Sequence, residues 1–253
     1  RMDLPGVDLL GATPYKTMAG WQRDQFDVPE DFSCKMASSV AHLTGKQGTF
    51  TESFALAKGV PLRRLLGVAA WQFSGGVTHM TTYTVQWELP AEEYARLGDF
   101  VGRLAVMTRR GRHVADVAVL VPEAAVWAAY TPPDRGRYEG HFACNAEPLV
   151  IDRGFRAVCH ALGAGQRDFD CLSETMLAEA KIEQGRLLLA DEQFHALVLP
   201  EARMMADASL DKVRAFAASG GVVVFAGALP CQCPERGDDP RTRRRVESLL
   251  GEF

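Results

Sequence analysis

The chain has 253 residues, of which 47% are hydrophobic and 24% charged, and its formal net charge is -4. That length accommodates one large α/β domain or two smaller ones with a sizeable core. The acidic balance argues against a nucleic-acid or anionic-membrane surface as the main partner, and no apolar run is long enough to span a bilayer.

Six cysteines (Cys34, Cys144, Cys159, Cys171, Cys231, Cys233) lack the rhythm of a disulfide framework. Reduced thiols in a cytoplasmic setting are therefore expected. Cys231-Gln-Cys233 has no second pair or nearby histidine to complete a zinc site, so no metal and no cofactor is expected. The opening Arg1-Met-Asp-Leu-Pro5 carries no signal-peptide apolar region.

Taken in order, Val7 to Leu10 reads as a short buried strand, and residues 12–31 as a long polar loop. Phe32 to Leu43 predicts a helix with Met36, Val40 and Leu43 on its apolar side and Gly45 at its carboxyl cap. The β-branched and aromatic residues of Thr49-Phe-Thr51 predict a strand that ends on Glu52. Side chains alternate along a strand, so Gly48, Phe50 and Glu52 share one face while Thr49 and Thr51 share the other. Pro61 opens a helix over 62–71, Val77 to Val85 reads as a third strand, and Glu92 to Thr108 as an amphipathic helix.

A second series begins at Val114 to Val121, the cleanest buried strand in the chain. A short helix over 124–130 and a Pro/Gly-rich excursion over 131–148 follow. Next come a helix over 151–162, a strand over 169–172, and a helix over 173–180 with Ser173 as N-cap. A hairpin turns at Gln184-Gly185. The series closes with strands at 196–200 and 222–225 flanking a helix over 208–218. Arg241-Thr-Arg-Arg-Arg245 reads as a solvated helix face beside Asp238, Asp239 and Glu247. Both halves alternate strand and helix, which calls for parallel sheets.

In such sheets chemistry collects at the carboxyl ends of the strands. Glu52 is accordingly the first candidate catalytic residue, against the competing reading of a solvated glutamate at a loop edge. Thr81, Thr82 and Tyr83, with Trp87 beyond, would suit a sugar-binding rim; packing is the competing reading. Asp8, near the end of the first strand, reads as structural. Gly75-Gly76 and Gly220-Gly221 do not form the Gly-x-Gly-x-x-Gly turn of a dinucleotide site. The turn after Ala196-Leu-Val-Leu199 reads Pro200-Glu-Ala-Arg203, with no cysteine nucleophile of the glutamine-amidotransferase kind.

Met2-Asp-Leu-Pro-Gly-Val-Asp-Leu-Leu-Gly11, Ala37-Ser-Ser-Val-Ala-His-Leu-Thr-Gly-Lys46 and Thr49-Phe-Thr-Glu-Ser-Phe54 resemble the last third of the barrel in bacterial glycoside hydrolases of the α-L-rhamnosidase and β-galactosidase-like type. Val114 to Pro132, Phe194 to Pro200 and Gly220 to Pro230 resemble the amidotransferase-like domain that follows such barrels and serves trimerisation in β-galactosidases. The resemblance implies an α/β chain in two parts. Residues 1–110 would be the C-terminal part of a (β/α)8 barrel, and 111–253 a flavodoxin-like, class I glutamine amidotransferase-like doubly wound domain. It also implies a glycoside hydrolase acting on a carbohydrate, with Glu52 as base or nucleophile and Tyr83 in contact with substrate. Homo-oligomers would form through the second part.

The resemblance departs from its family where the first five barrel strands and the expected general acid are missing. The chain accordingly reads as a portion of an enzyme, inactive alone. The competing class is a non-catalytic oligomerisation or accessory module of a carbohydrate-active protein.

Overall fold

The computed structural model describes residues 3–9, 32–54, 59–83, 85–109, 111–131, 146–238 and 240–252. The architecture is mixed α/β with parallel sheets, and the chain divides into two compact units, Arg1–His113 and Val114–Phe253. The expected loop over 12–31 and most of the excursion over 131–148 lie outside the described residues.

The first unit runs β1 (Gly6–Leu9), α1 (Ser33–Leu43), β2 (Phe50–Ser53), α2 (Leu62–Ser74), β3 (His79–Thr82), α3 (Val85–Glu88) and α4 (Ala91–Arg109). Its three strands lie side by side in chain order, all parallel, with Gly6 opposite Phe50 and Phe50 opposite His79. This is the arrangement that β-α-β-α-β alternation demands. Phe54, Leu65, Val68, Ala69, Val85 and Leu97 form its buried core, into which α2 and α4 pack.

Helix α1 ends as its sequence predicts. Gly45 takes a left-handed φ of 64°, which lets its own N–H donate to His42 O at 3.2 Å and that of Lys46 to Ala41 O at 2.8 Å. The buried side of α1 keeps the expected Leu43 but otherwise differs. Cys34, Ala37, Ser38 and Ala41 are inside, whereas Val40 is 41% exposed. The cause is a close approach: the Gly75-Gly76 turn comes so near Cys34 and Ser38 that only small side chains fit. Ser38 Oγ donates to Gly75 O there at 2.8 Å.

The third strand is shorter than the β-branched run over 77–85 suggests. It stops at Thr82, and Val85 enters α3, where its side chain is fully buried. A β-favouring side chain needs only an apolar surface to pack on, and here helical core supplies it.

The second unit contains β4 (Val117–Leu120), α5 (Glu123–Ala129), α6 (Ala146–Ala164), β5 (Phe169–Leu172), α7 (Glu174–Glu179), β6 (Lys181–Glu183), β7 (Arg186–Leu189), β8 (Glu192–Phe194), β9 (Ala196–Pro200), α8 (Asp207–Ala218), β10 (Val222–Ala226), β11 (Gln232–Cys233), β12 (Gly237–Asp238) and α9 (Pro240–Glu252). Its main sheet is parallel in the order β10-β9-β4-β5, so the winding reverses between β4 and β9. Ser173 caps α7 by accepting from Met176 N at 3.2 Å, as the sequence indicates. The hairpin turns at Gln184 (φ 49°) and Gly185 (φ 72°), two left-handed residues in succession. Strand β8 adds a third member to that hairpin, and α9 extends the basic run into a full helix anchored by buried Val246 and Leu249.

Candidate functional site

Strand β2 presents two chemically different faces. Thr51 and Ser53 are buried on one of them, and their hydroxyls donate to Gln72 Oε1 of α2 at 2.7 and 2.9 Å. Thr49 on the same face donates through Oγ1 to Pro5 O at 2.7 Å, tying β2 to the segment before β1. Every second residue of β2 is thereby fastened, which fixes register and turns Phe50 and Glu52 to the opposite face. Phe50 lies across Gly6 so closely that a β-carbon there would have no room.

Glu52 is half-buried at the carboxyl end of this parallel strand. Its register neighbours are Asp8 on β1 and Thr81 on β3. The ladder continues one step beyond β3, because Tyr83 N donates to Ser53 O at 2.9 Å. Thr81 and Tyr83 therefore share the Glu52 face. With strands about 4.8 Å apart and a rise of about 3.3 Å per residue, Tyr83 Cα lies about 8 Å from that of Glu52. Both Thr81 and Tyr83 are exposed. Trp87 sits on α3 with 78% of its surface exposed, four residues beyond the strand face that carries the others. Among the described residues, no hydrogen bond or ion pair holds the Glu52 carboxylate.

Two residues flank the β2–β3 ladder, one at each end. Phe54 follows β2 at once with φ 65°, a left-handed backbone that a bulky residue rarely adopts, and its ring is fully buried. His79, at the start of β3, accepts or donates at Nδ1 with Thr78 Oγ1 at 2.8 Å. Burial pushes its pKa down, and the nearby Arg109 guanidinium adds to the effect.

The second unit also gathers carboxylates at strand ends. Glu123 follows β4, Glu174 follows β5 and Glu201 follows β9. Glu174 accepts from Ala206 N at 3.0 Å and from Ser209 Oγ at 2.5 Å. Burial, then the charge of Glu174, raises the pKa of Glu123. Glu201 occupies the turn at which the sequence offers no cysteine. It has φ 44°, and its carboxylate is held 3.3 Å from both Nε and Nη2 of Arg203. Arg203 Nη1 also lies 3.7 Å from Glu147. Gly154 and Gly227 pack against the Glu201 side chain with no space for a β-carbon.

Sequence reasoning selected Glu52, Thr81 and Tyr83, which the fold places on one face, and Trp87, which it places on a separate helix. It missed Gln72, although a signal was present. Leu65, Ala69 and Gln72 recur at helical spacing, so the amide shares the buried stripe and must meet polar partners there.

No family model matches the chain, and no curated protein matches it. Among solved structures, it is similar to a catalytic mutant of Gan42B, a GH42 β-galactosidase from G. stearothermophilus, with 12% identity, a TM-score of 0.54, and coverage of 83% of this chain and 31% of that one. It is also similar to the exo-β-1,4-mannosidase Op5Man5 from Opitutaceae bacterium strain TAV5, at 11% identity and TM-score 0.44, covering 84% of this chain and 38% of that one. The chain thus spans less than two fifths of the length of either glycosidase. The likeness is one of fold: the chain has a glycosidase-like α/β architecture. Among the described residues, no helix is long and apolar enough to cross a membrane.

Proposed function

We propose that this chain is part of a glycoside hydrolase, with the first unit forming the C-terminal portion of a (β/α)8 barrel and Glu52 acting as base or nucleophile. One observation carries the reading. Glu52 stands at the carboxyl end of a parallel strand on a face shared with Thr81 and Tyr83, while the other face is locked to α2 through Gln72. A carboxylate so placed, beside hydroxyl groups that can hold a sugar, is what glycosidic cleavage requires of one member of its pair. Thr81 and Tyr83 are the proposed substrate contacts, and Trp87 belongs to the rim. The second unit is read as the flavodoxin-like, amidotransferase-like domain, consistent with its β10-β9-β4-β5 order, and as a site of homo-oligomer formation. Its turn after β9 carries Glu201 in an ion pair with Arg203, which suits a domain without amidotransferase chemistry. The similarity in fold to β-galactosidase and β-mannosidase structures makes β-galactosides and β-mannosides the first substrates to try.

The test is made in the full-length gene product, with aryl β-galactosides and β-mannosides as substrates. Glu52→Gln keeps shape and hydrogen-bonding capacity but removes the charge that a nucleophile or base supplies. A turnover loss of about a thousandfold, roughly 4 kcal/mol, with binding nearly intact is expected. A Gln variant that keeps more than about a tenth of the parent rate, a loss under ~1.4 kcal/mol, would make Glu52 a rim residue.

A further inference from the structure

Gln72 of α2 stands behind the strand that carries Glu52. Its Oε1 accepts from Thr51 Oγ1 at 2.7 Å and from Ser53 Oγ at 2.9 Å, and these two residues are the immediate chain neighbours of Glu52. Residues two apart on one face of a strand have Cα atoms about 6.6 Å apart. Here their hydroxyls converge on a single acceptor, and Ser53 Oγ lies 3.1 Å from Thr51 Oγ1. The main chain of Gln72 is fixed as well. Its carbonyl accepts from Gly75 N at 3.1 Å and from Val77 N at 3.2 Å, in the turn that leads toward β3. One residue thus holds β2 through its side chain and the approach to β3 through its backbone. Stability alone does not account for this set. All three side chains are at most 1% exposed, and Gln72 Nε2, also buried, has no protein partner among the described residues. Turning the amide over would only move the deficit to the oxygen. A buried polar set left incomplete stabilises less than apolar residues of the same shape. What it supplies is direction, because hydrogen bonds constrain angles whereas apolar contacts do not.

We propose that Gln72, acting through Thr51 and Ser53, is a positioning residue that sets the angle at which the Glu52 carboxylate leaves β2, given the role of Glu52 as base or nucleophile proposed above. A reacting carboxylate must be held within about 0.5 Å and 10–20° of its productive geometry. Phe54, left-handed and fully buried, closes the strand one residue after Ser53. The residues before and after Glu52 are therefore all anchored in the interior. Thr81 and Tyr83 belong to β3 and its extension, which Gln72 reaches only through its main chain. Replacing the Gln72 side chain accordingly disturbs the carboxylate and spares the proposed substrate contacts.

Steady-state kinetics of the full-length gene product on the aryl glycoside it turns over, beside urea unfolding, tests the assignment. The variant Thr51→Val/Ser53→Ala/Gln72→Leu should keep nearly the parent stability and KM, while kcat falls between about tenfold and a hundredfold, the scale of a misplaced catalytic group. Thr51→Val alone keeps the shape but loses one hydroxyl, and should lower kcat by about threefold or more. Thr51→Ser keeps the hydroxyl and should retain most of the parent kcat. Should the triple variant not fold, these two carry the test. Ser39→Ala removes a buried hydroxyl of α1 that donates to Lys35 O at 2.7 Å, and should leave kcat unchanged. The proposal is overturned by a stable triple variant with the parent kcat, by a rise in KM that accounts for the whole loss, by equal kcat in Thr51→Val and Thr51→Ser, or by an equal loss in Ser39→Ala. Glu52→Gln, assayed alongside, separates the two roles. Retention of the parent rate there removes the catalytic role and the positioning role with it. A loss of about a thousandfold there, beside an unaffected triple variant, overturns the positioning role alone.

Discussion

β2 of the first unit and β9 of the second each run parallel between two neighbours, and each is followed at once by a residue other than glycine in the left-handed region. At β2 that residue is Phe54, whose buried ring anchors the turn in the core, and the half-buried carboxylate stands two residues earlier on the strand face opposite Thr51 and Ser53. At β9 the strained residue is itself the carboxylate, Glu201, clasped by Arg203 and packed against two glycines. Each such backbone costs on the order of 1–3 kcal/mol and persists only where its surroundings over-determine it. The two turns therefore separate strain from availability. A carboxylate at a strand end is available only when no cation already occupies it; Arg203 holds Glu201, whereas among the described residues no cation holds Glu52.

The sharpest way to break this comparison is to neutralise both carboxylates in the full-length gene product. Glu52→Gln should remove about a thousandfold of turnover, roughly 4 kcal/mol, whereas Glu201→Gln should leave the rate on an aryl glycoside unchanged. Equal losses would erase the distinction.

The support beneath β2 comes next in size. Gln72→Leu leaves the Thr51 and Ser53 hydroxyls buried without their acceptor and should lower stability by about 2 kcal/mol in urea unfolding. Adding Thr51→Val and Ser53→Ala should recover most of the loss, because removing every member of a buried polar set is nearly neutral. A triple variant no better than the single one would mean that the hydroxyl-amide set does not hold the strand.

A smaller difference is expected at the strained turn of β9. Glu201→Gly and Glu201→Ala both lose the ion pair, but only glycine is at ease at φ 44°. The glycine variant should be the more stable by about 1 kcal/mol. Reversal of that order would show that the side chain, not the backbone, sets the energy there.

The smallest effect concerns pH. Glu123 has a folded pKa above its unfolded value of 4.5, chiefly through burial. Between those two values the folded state holds more protons than the unfolded one, so this group's contribution to stability falls as pH rises. Glu123→Gln should remove that decline and raise the melting temperature slightly at pH 7 while leaving it nearly unchanged at pH 4. Scanning calorimetry at the two pH values reads the difference, and an equal change at both would contradict it.

Most strands and helices were legible because their signals are local. Val117 to Val121 is an apolar run between Asp116 and Pro122, and Gly45 and Ser173 mark helix ends by chemistry that acts within one turn. The β8 strand was not legible, since Glu192-Gln-Phe194 is too short to show a period and becomes a strand only by pairing with β7. Helix α9 was legible only as a solvated basic face: Val246 and Leu249 are too few to announce an apolar stripe, though both are buried. At the candidate site, alternation alone placed Glu52 opposite Thr51. What alternation could not supply was the partner of Thr51, because Gln72 lies 21 residues away on a helix whose depth depends on packing.

The pairing of β2 also bears on the order in which the first unit assembles. Thr49 meets Thr78 across 29 residues and Pro5 across 44. Closing the shorter loop costs less chain entropy, by about 0.4 kcal/mol from loop length alone. The difference favours β2 and β3 zipping together first, with β1 docking onto a ladder already in register. On that route the face joining Glu52 to Thr81 is complete before the N-terminal strand arrives, so the part of the sheet proposed to meet substrate is also the part that sets the template for folding.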